Sequence, residues 1–179
     1  MKTFRRTFAA VLAASVLVLS ACSSQKRDFT HYVSDSNAQQ TQSQETGKFS
    51  FSTTDADGKA VTMEDYSSAK VVMFNMWEPW CGPCRAELPD LQKLYEKYRA
   101  EGLMIVGVFS ESDGVSSIIK EDGLQYPMIV SCAAFDKFQT GYVPTTFFTD
   151  GSGNVLSEQP YVDSKSYEQW ESVILSYLR

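Results

Sequence analysis

Cys81 and Cys84 stand three residues apart in the string Trp77-Glu78-Pro79-Trp80-Cys81-Gly82-Pro83-Cys84. If one turn of helix carries both sulfurs, a disulfide of ordinary geometry can close and reopen between them without moving the fold. The chemistry is then thiol-disulfide exchange: a thiolate attacks, a mixed disulfide forms, and a second thiol resolves it. Cys81, the first and normally more exposed sulfur, is the candidate nucleophile, and Cys84 is the candidate resolving thiol.

The flanking sequence supplies that turn of helix. Val71-Val72-Met73-Phe74 is a short β-prone apolar run, whereas residues 85–99 carry Leu88, Leu91, Leu94, Tyr95 and Tyr98 at helical spacing. The pair therefore falls where a strand runs into a helix. Unpaired backbone N–H groups and the positive end of the helix dipole favour a thiolate there. Pro83 needs no N–H in a first helical turn, and Gly82 leaves the peptide open to a substrate backbone.

The remaining elements alternate. Leu103 to Phe109 reads as a buried strand, Val115 to Glu121 as a short helix, Pro127 to Val130 as a strand and Ala133 to Gln139 as helical. Thr145 to Thr149 reads as a strand, and the turn Asp150-Gly151-Ser152-Gly153-Asn154 leads into Val155-Leu156 as an antiparallel edge. A last helix runs from about Ser166 to Tyr177. Strands alternating with helices imply an α/β domain with a parallel core, and roughly 130 residues suit one domain rather than two.

The first 21 residues read as a leader. Lys2, Arg5 and Arg6 precede an apolar stretch from about Phe8 to Leu19, too short for the roughly 20 residues that span a bilayer. Small residues then lead to Cys22, as in a lipoprotein signal peptide in which Cys22 is the lipid acceptor. An ordinary cleaved signal or an uncleaved anchor is the alternative. Residues 22–48, rich in Ser, Gln, Thr, Asn and Asp, are expected to form a disordered tether with a span on the order of 25 to 30 Å. Residues 49–179 are the folded domain.

Charge and histidine content narrow the function. The formal net charge is −6, and loss of the leader, with three basic residues and no acidic one, would move it to −9. Such a domain is a poor match for phosphate backbones, and no phosphate-cradling glycine loop is present, so nucleic-acid partners are not expected. The single histidine, His31, lies in the tether, which argues against Ser-His and Cys-His catalysis and leaves a cysteine metal site short of a fourth ligand. No metal and no cofactor are expected. With Cys22 and the redox pair assigned, Cys132 is left over, either as a regulatory thiol or as a small apolar residue ending a strand. Export suits an accessible CxxC, because disulfides persist outside the cytoplasm.

The string WCGPC, its extension Arg85-Ala86-Glu87-Leu88-Pro89, the segment Val143-Pro144-Thr145-Thr146-Phe147-Phe148 and the opening Phe49-Ser50-Phe51 with Asp57-Gly58-Lys59 resemble the thioredoxin superfamily. More narrowly they resemble its membrane-tethered TlpA/ResA-type thiol-disulfide oxidoreductases, over roughly residues 49–179. The resemblance implies a thioredoxin fold: a central mixed β-sheet flanked by helices, with an N-terminal hairpin and a central βα insertion. It places Pro89 where the active-site helix kinks and Pro144 in cis facing the cysteines. The Val143 backbone would then pair with an extended substrate strand beside Cys81, with Trp80 as a surface platform and Trp77 as packing.

The family's aspartate six residues before the first cysteine is replaced by Asn75, which cannot serve as a base. Glu87, one turn beyond Cys84, is the candidate for proton transfer and for tuning the cysteines; otherwise it is a solvated first-turn glutamate. Glu78 is a second, weaker candidate. The resemblance also implies a monomer that reduces disulfides of exported proteins and draws electrons from a membrane-embedded thiol relay. A disulfide-donating oxidase and a non-catalytic binding lipoprotein are the alternatives.

Overall fold

The computed structural model describes residues 47–179. The leader, Cys22, His31 and nearly all of the tether lie outside the described residues. The elements are β1 (Ser52–Thr54), β2 (Ala60–Thr62), β3 (Val71–Met76), α1 (Gly82–Tyr98), β4 (Leu103–Phe109), α2 (Val115–Glu121), β5 (Met128–Val130), β6 (Thr145–Thr149), β7 (Tyr161–Val162) and α3 (Tyr167–Leu178). Short 3-10 turns at Met63–Tyr66, Arg99–Glu101 and Ala133–Phe138 connect them.

Five strands form one sheet in the order β5-β4-β3-β6-β7, with β3, β4 and β5 mutually parallel, β6 antiparallel to β3 and β7 antiparallel to β6. This is the mixed sheet of a thioredoxin fold. The passage through α2 and β5 adds a parallel strand at one edge, in the position of the expected central insertion. β1 and β2 form the N-terminal hairpin, which begins at Ser52, whereas Phe49 and Phe51 enter it as buried extended residues.

Because β3 lies inside the sheet and is covered on both faces, all six of its residues are buried and its side chains alternate between two cores. Val71 and Met73 join Leu88, Leu91, Leu94, Trp170 and Ile174 under α1 and α3. Val72, Phe74 and Met76 join Phe49, Phe51, Phe135, Phe138 and Phe147 on the other face. There Phe147 stacks on Phe138 at 3.6 Å between ring centroids and on Phe74 at 5.0 Å.

Asn75 shares the helix-covered face with Met73, and its neighbours across the sheet are Thr146 on β6 and Gly107 on β4. A side chain at Gly107 would collide with Met128 and with the Trp77 indole, 3.0 Å from a Cβ there. The absence of one leaves room for the Met128 thioether and the Trp77 indole.

α1 runs from Gly82 to Tyr98 with Pro89 inside it, and Leu88 and Leu91 on either side are fully buried. One local expectation changes. Val155 makes only an isolated bridge to Thr149, and the antiparallel edge strand is β7 instead. Two residues are too few to show the alternation by which a strand is read from sequence.

Candidate active site

Cys81 is the N-cap of α1 and Cys84 lies in the first turn, with Pro83 at a position that needs no amide hydrogen. The two sulfurs form a disulfide with a Cα–Cα distance of 5.3 Å. Sγ of Cys81 accepts a hydrogen bond from the Cys84 backbone N–H at 3.2 Å. In the reduced state that N–H and the helix dipole favour negative charge on the same sulfur. Cys81 is 5% exposed and Cys84 0%, so the expected order of access holds although the difference is small.

The Val143-Pro144 peptide is cis, and the Val143 carbonyl oxygen lies 3.6 Å from Sγ of Cys81. Thr145 steadies this turn by donating from its hydroxyl to the Tyr142 carbonyl at 2.7 Å. Beside it runs an open groove of about 420 Å³, lined in part by Met76, Trp80, Tyr142 and Val143. Trp80 is 66% exposed and Tyr142 76%, so two aromatic faces border the groove. Sequence reading passed over Tyr142; a bulky aromatic next to Val143-Pro144 was the available signal.

Beneath the disulfide, Glu87 is buried, in contrast to the solvated alternative. Its Oε1 accepts from Asn75 Nδ2 at 2.9 Å, and its Oε2 accepts from Trp170 Nε1 at 3.0 Å and from the Lys165 backbone N–H at 3.1 Å. Burial pushes the carboxyl above its ordinary range; the three donors and the Lys165 charge oppose that rise only in part. Asn75 Nδ2 also donates to Thr146 Oγ1 at 3.0 Å, which ties α1 to the strand that follows Pro144. Asn75 thus organises the site without acting as a base.

The other sequence candidates are engaged in structural contacts. Glu78 has both oxygens engaged by the backbone N–H groups of Ser110 and Glu111, each at 3.0 Å, and so pins the approach to the cysteines against the end of β4. Trp77 is fully buried. Cys132 is partly buried, packs beside the aromatic core and is not in a disulfide. Among the described residues no group of His, Cys, Asp or Glu is arranged to hold a metal ion, and no helix is long and apolar enough to cross a membrane.

A CxxC disulfide capping a helix, facing a cis-proline on a mixed five-stranded sheet, defines a thiol-disulfide oxidoreductase of the thioredoxin fold. The chain belongs to the AhpC/TSA family, whose profile matches residues 46–157. It is 30% identical over 128 residues to the thiol-disulfide oxidoreductase ResA of Bacillus thuringiensis (strain Al Hakam), an alignment covering 69% of this chain and 72% of that one. Among solved structures, a thioredoxin-family thiol:disulfide interchange protein from Chlorobium tepidum TLS superposes with a TM-score of 0.65 at 26% identity, covering 74% of this chain and 96% of the other. A secreted disulfide oxidoreductase of Mycobacterium tuberculosis shares the fold, with a TM-score of 0.59 at 17% identity over 70% of this chain and 95% of that one.

Proposed function

We propose that the chain is an extracytoplasmic thiol-disulfide oxidoreductase working in the reducing direction, anchored to the cell membrane through a lipidated Cys22, with residues 22–48 as its tether. The observation that carries the reading is the Cys81 sulfur, capped by the Cys84 N–H on one side and 3.6 Å from the Val143 carbonyl on the other. A nucleophile beside unpaired backbone can receive a substrate strand by main-chain pairing, with Trp80, Val143 and Pro144 as the docking surface.

In the reaction, the Cys81 thiolate attacks one sulfur of the substrate disulfide, and the other sulfur leaves as a thiolate. Cys84 then gives its proton to Glu87 and attacks the Cys81 sulfur of the mixed disulfide, releasing the second substrate thiolate. The dithiol has lost two electrons, the substrate disulfide has gained them, and Cys81 and Cys84 are joined. A membrane-embedded dithiol relay returns the pair to its reduced form by the same exchange in reverse. The name ResA among the relatives, the leader-like first 21 residues and the secreted neighbour support the extracytoplasmic setting.

The equilibrium reduction potential of the pair tests the direction. A value near or below about −250 mV supports the reductase, and one above about −180 mV makes the protein a disulfide donor. Metabolic labelling with a fatty acid, lost on Cys22→Ala, tests the anchor.

A further inference from the structure

Glu87 owes two of its three hydrogen bonds to the last fifth of the chain. Oε2 accepts from the Trp170 indole, on the first turn of α3, and from the Lys165 backbone, in the loop between β7 and α3. Trp170 is 0% exposed, and its single polar atom is directed at the carboxylate. A core position on α3 that needed only apolar volume would be filled at lower cost by Leu or Phe, because a buried indole N–H must find a partner.

Lys165 is held in place as well. Its Nζ donates to the Val162 carbonyl at 3.3 Å and lies 5.8 Å from the Tyr161 ring and 5.4 Å from the Trp170 ring. In the same loop Asp163 has a φ of 67°, the left-handed conformation, and is the only described residue other than glycine to do so. The loop thus presents a cation and a backbone N–H to one side of Glu87.

We infer that Trp170 and Lys165 are positioning residues for the redox pair: from the C-terminal segment they orient the Glu87 carboxylate and stabilise its negative charge one helical turn from Cys84. Neither residue touches substrate; both act through Glu87. The consequence is that α3 sets the pH at which the buried carboxylate is free to take the Cys84 proton. The groups facing Glu87 are Asn75 from β3, Trp170 from α3, Lys165 from the loop, and the buried Tyr126 phenol ahead of β5, whose burial and the Glu87 charge keep it protonated. Lys165 is the only cation among them, and Trp170 and Lys165 together with Asn75 oppose the effect of burial on the carboxylate.

The inference rests on the proposed proton role of Glu87, and the test separates the two. The reduction potential of the pair in the full chain is measured as a function of pH for the parent, Glu87→Gln, Trp170→Phe and Lys165→Met. A group whose proton affinity is coupled to the dithiol appears as a change of slope. Glu87→Gln should remove one such change. Trp170→Phe, which keeps most of the ring volume and loses the N–H, should move it upward by about one to two pH units, the size of one hydrogen bond to a charged group. Lys165→Met, which keeps the backbone N–H, should move it upward by less, and its partly exposed site keeps the test alive if Trp170→Phe fails to fold. If Glu87→Gln removes the slope change while neither other variant moves it, the positioning roles are overturned and the proton role stands. If Glu87→Gln leaves the profile as in the parent, the proton role falls, and the inference with it.

Discussion

The Val143 carbonyl oxygen lies 3.6 Å from the Cys81 sulfur, although 62 residues separate the two in the chain. The contact joins the N-terminus of α1 to the turn before β6, the two parts of the fold that a substrate strand would touch together. Functional asymmetry between the two cysteines follows from it: Cys81 faces this opening, and Cys84 is enclosed.

Cys81→Ser should therefore abolish reduction of polypeptide disulfides. Cys84→Ser should preserve the first attack and accumulate mixed disulfides, visible as adducts on non-reducing gels that dithiothreitol removes. Equal trapping by both single variants would contradict the assignment.

Trp80→Ala and Tyr142→Ala should each lower kcat/KM for a polypeptide disulfide by about tenfold, equivalent to ~1.4 kcal/mol, while leaving a small aliphatic disulfide unaffected. Both side chains are mostly exposed, so stability should change by no more than about 0.5 kcal/mol. A parallel loss on both substrates would mean that they act on the cysteines instead of on docking.

The raised proton affinity of Glu87 makes stability depend on pH. The folded state holds the proton more tightly than the unfolded chain, so stability is fully present below the unfolded carboxylate value, about pH 4.3, and falls as pH rises through the folded value. Glu87→Gln should flatten that fall in urea-melt midpoints. The new amide can be accommodated because the buried Asn75 Oδ1 has no partner and can turn to accept from it. Asn75→Asp should have the opposite effect, placing a second carboxylate about 3 Å from the first. The two would share one proton, and neutral-pH stability should drop by about 2 kcal/mol or more, with recovery in acid.

Phe147 is fully buried between Phe138 and Phe74, so Phe147→Ala should cost about 3 to 5 kcal/mol. Thermal melting checks this. Phe49→Ala, from the same cluster, removes the ring that anchors the start of the domain, whose backbone N–H is bonded to the Gly153 carbonyl at 2.7 Å. It should fall in the same range and expose residues near 49 to proteolysis.

The legible features of this chain are local ones. Cys81, Cys84 and Pro83 lie within one helical turn, where spacing alone decides which atoms meet. The run Leu103–Phe109 is a nearly continuous apolar strand because both sheet faces are covered, and Thr145–Thr149 is β-branched and aromatic throughout, so both announce themselves by composition. Val143-Pro144 was recognisable by resemblance, not by physics, since one sequence permits either isomer.

The tertiary structure decided the rest. Glu87 was the candidate proton carrier, but its burial was not legible, because the groups that enclose it come from far away: Lys165 is 78 residues distant and Trp170 is 83. Glu78 looked available until the end of β4 came to meet it. The sequence by itself determined the redox pair, the helix that carries it and the alternation of the main strands and helices along the chain, because those depend on neighbours in the chain. Which carboxylate is enclosed and what balances its charge depend on how α1, α3 and the sheet pack, and a buried group's energy is set by every element around it.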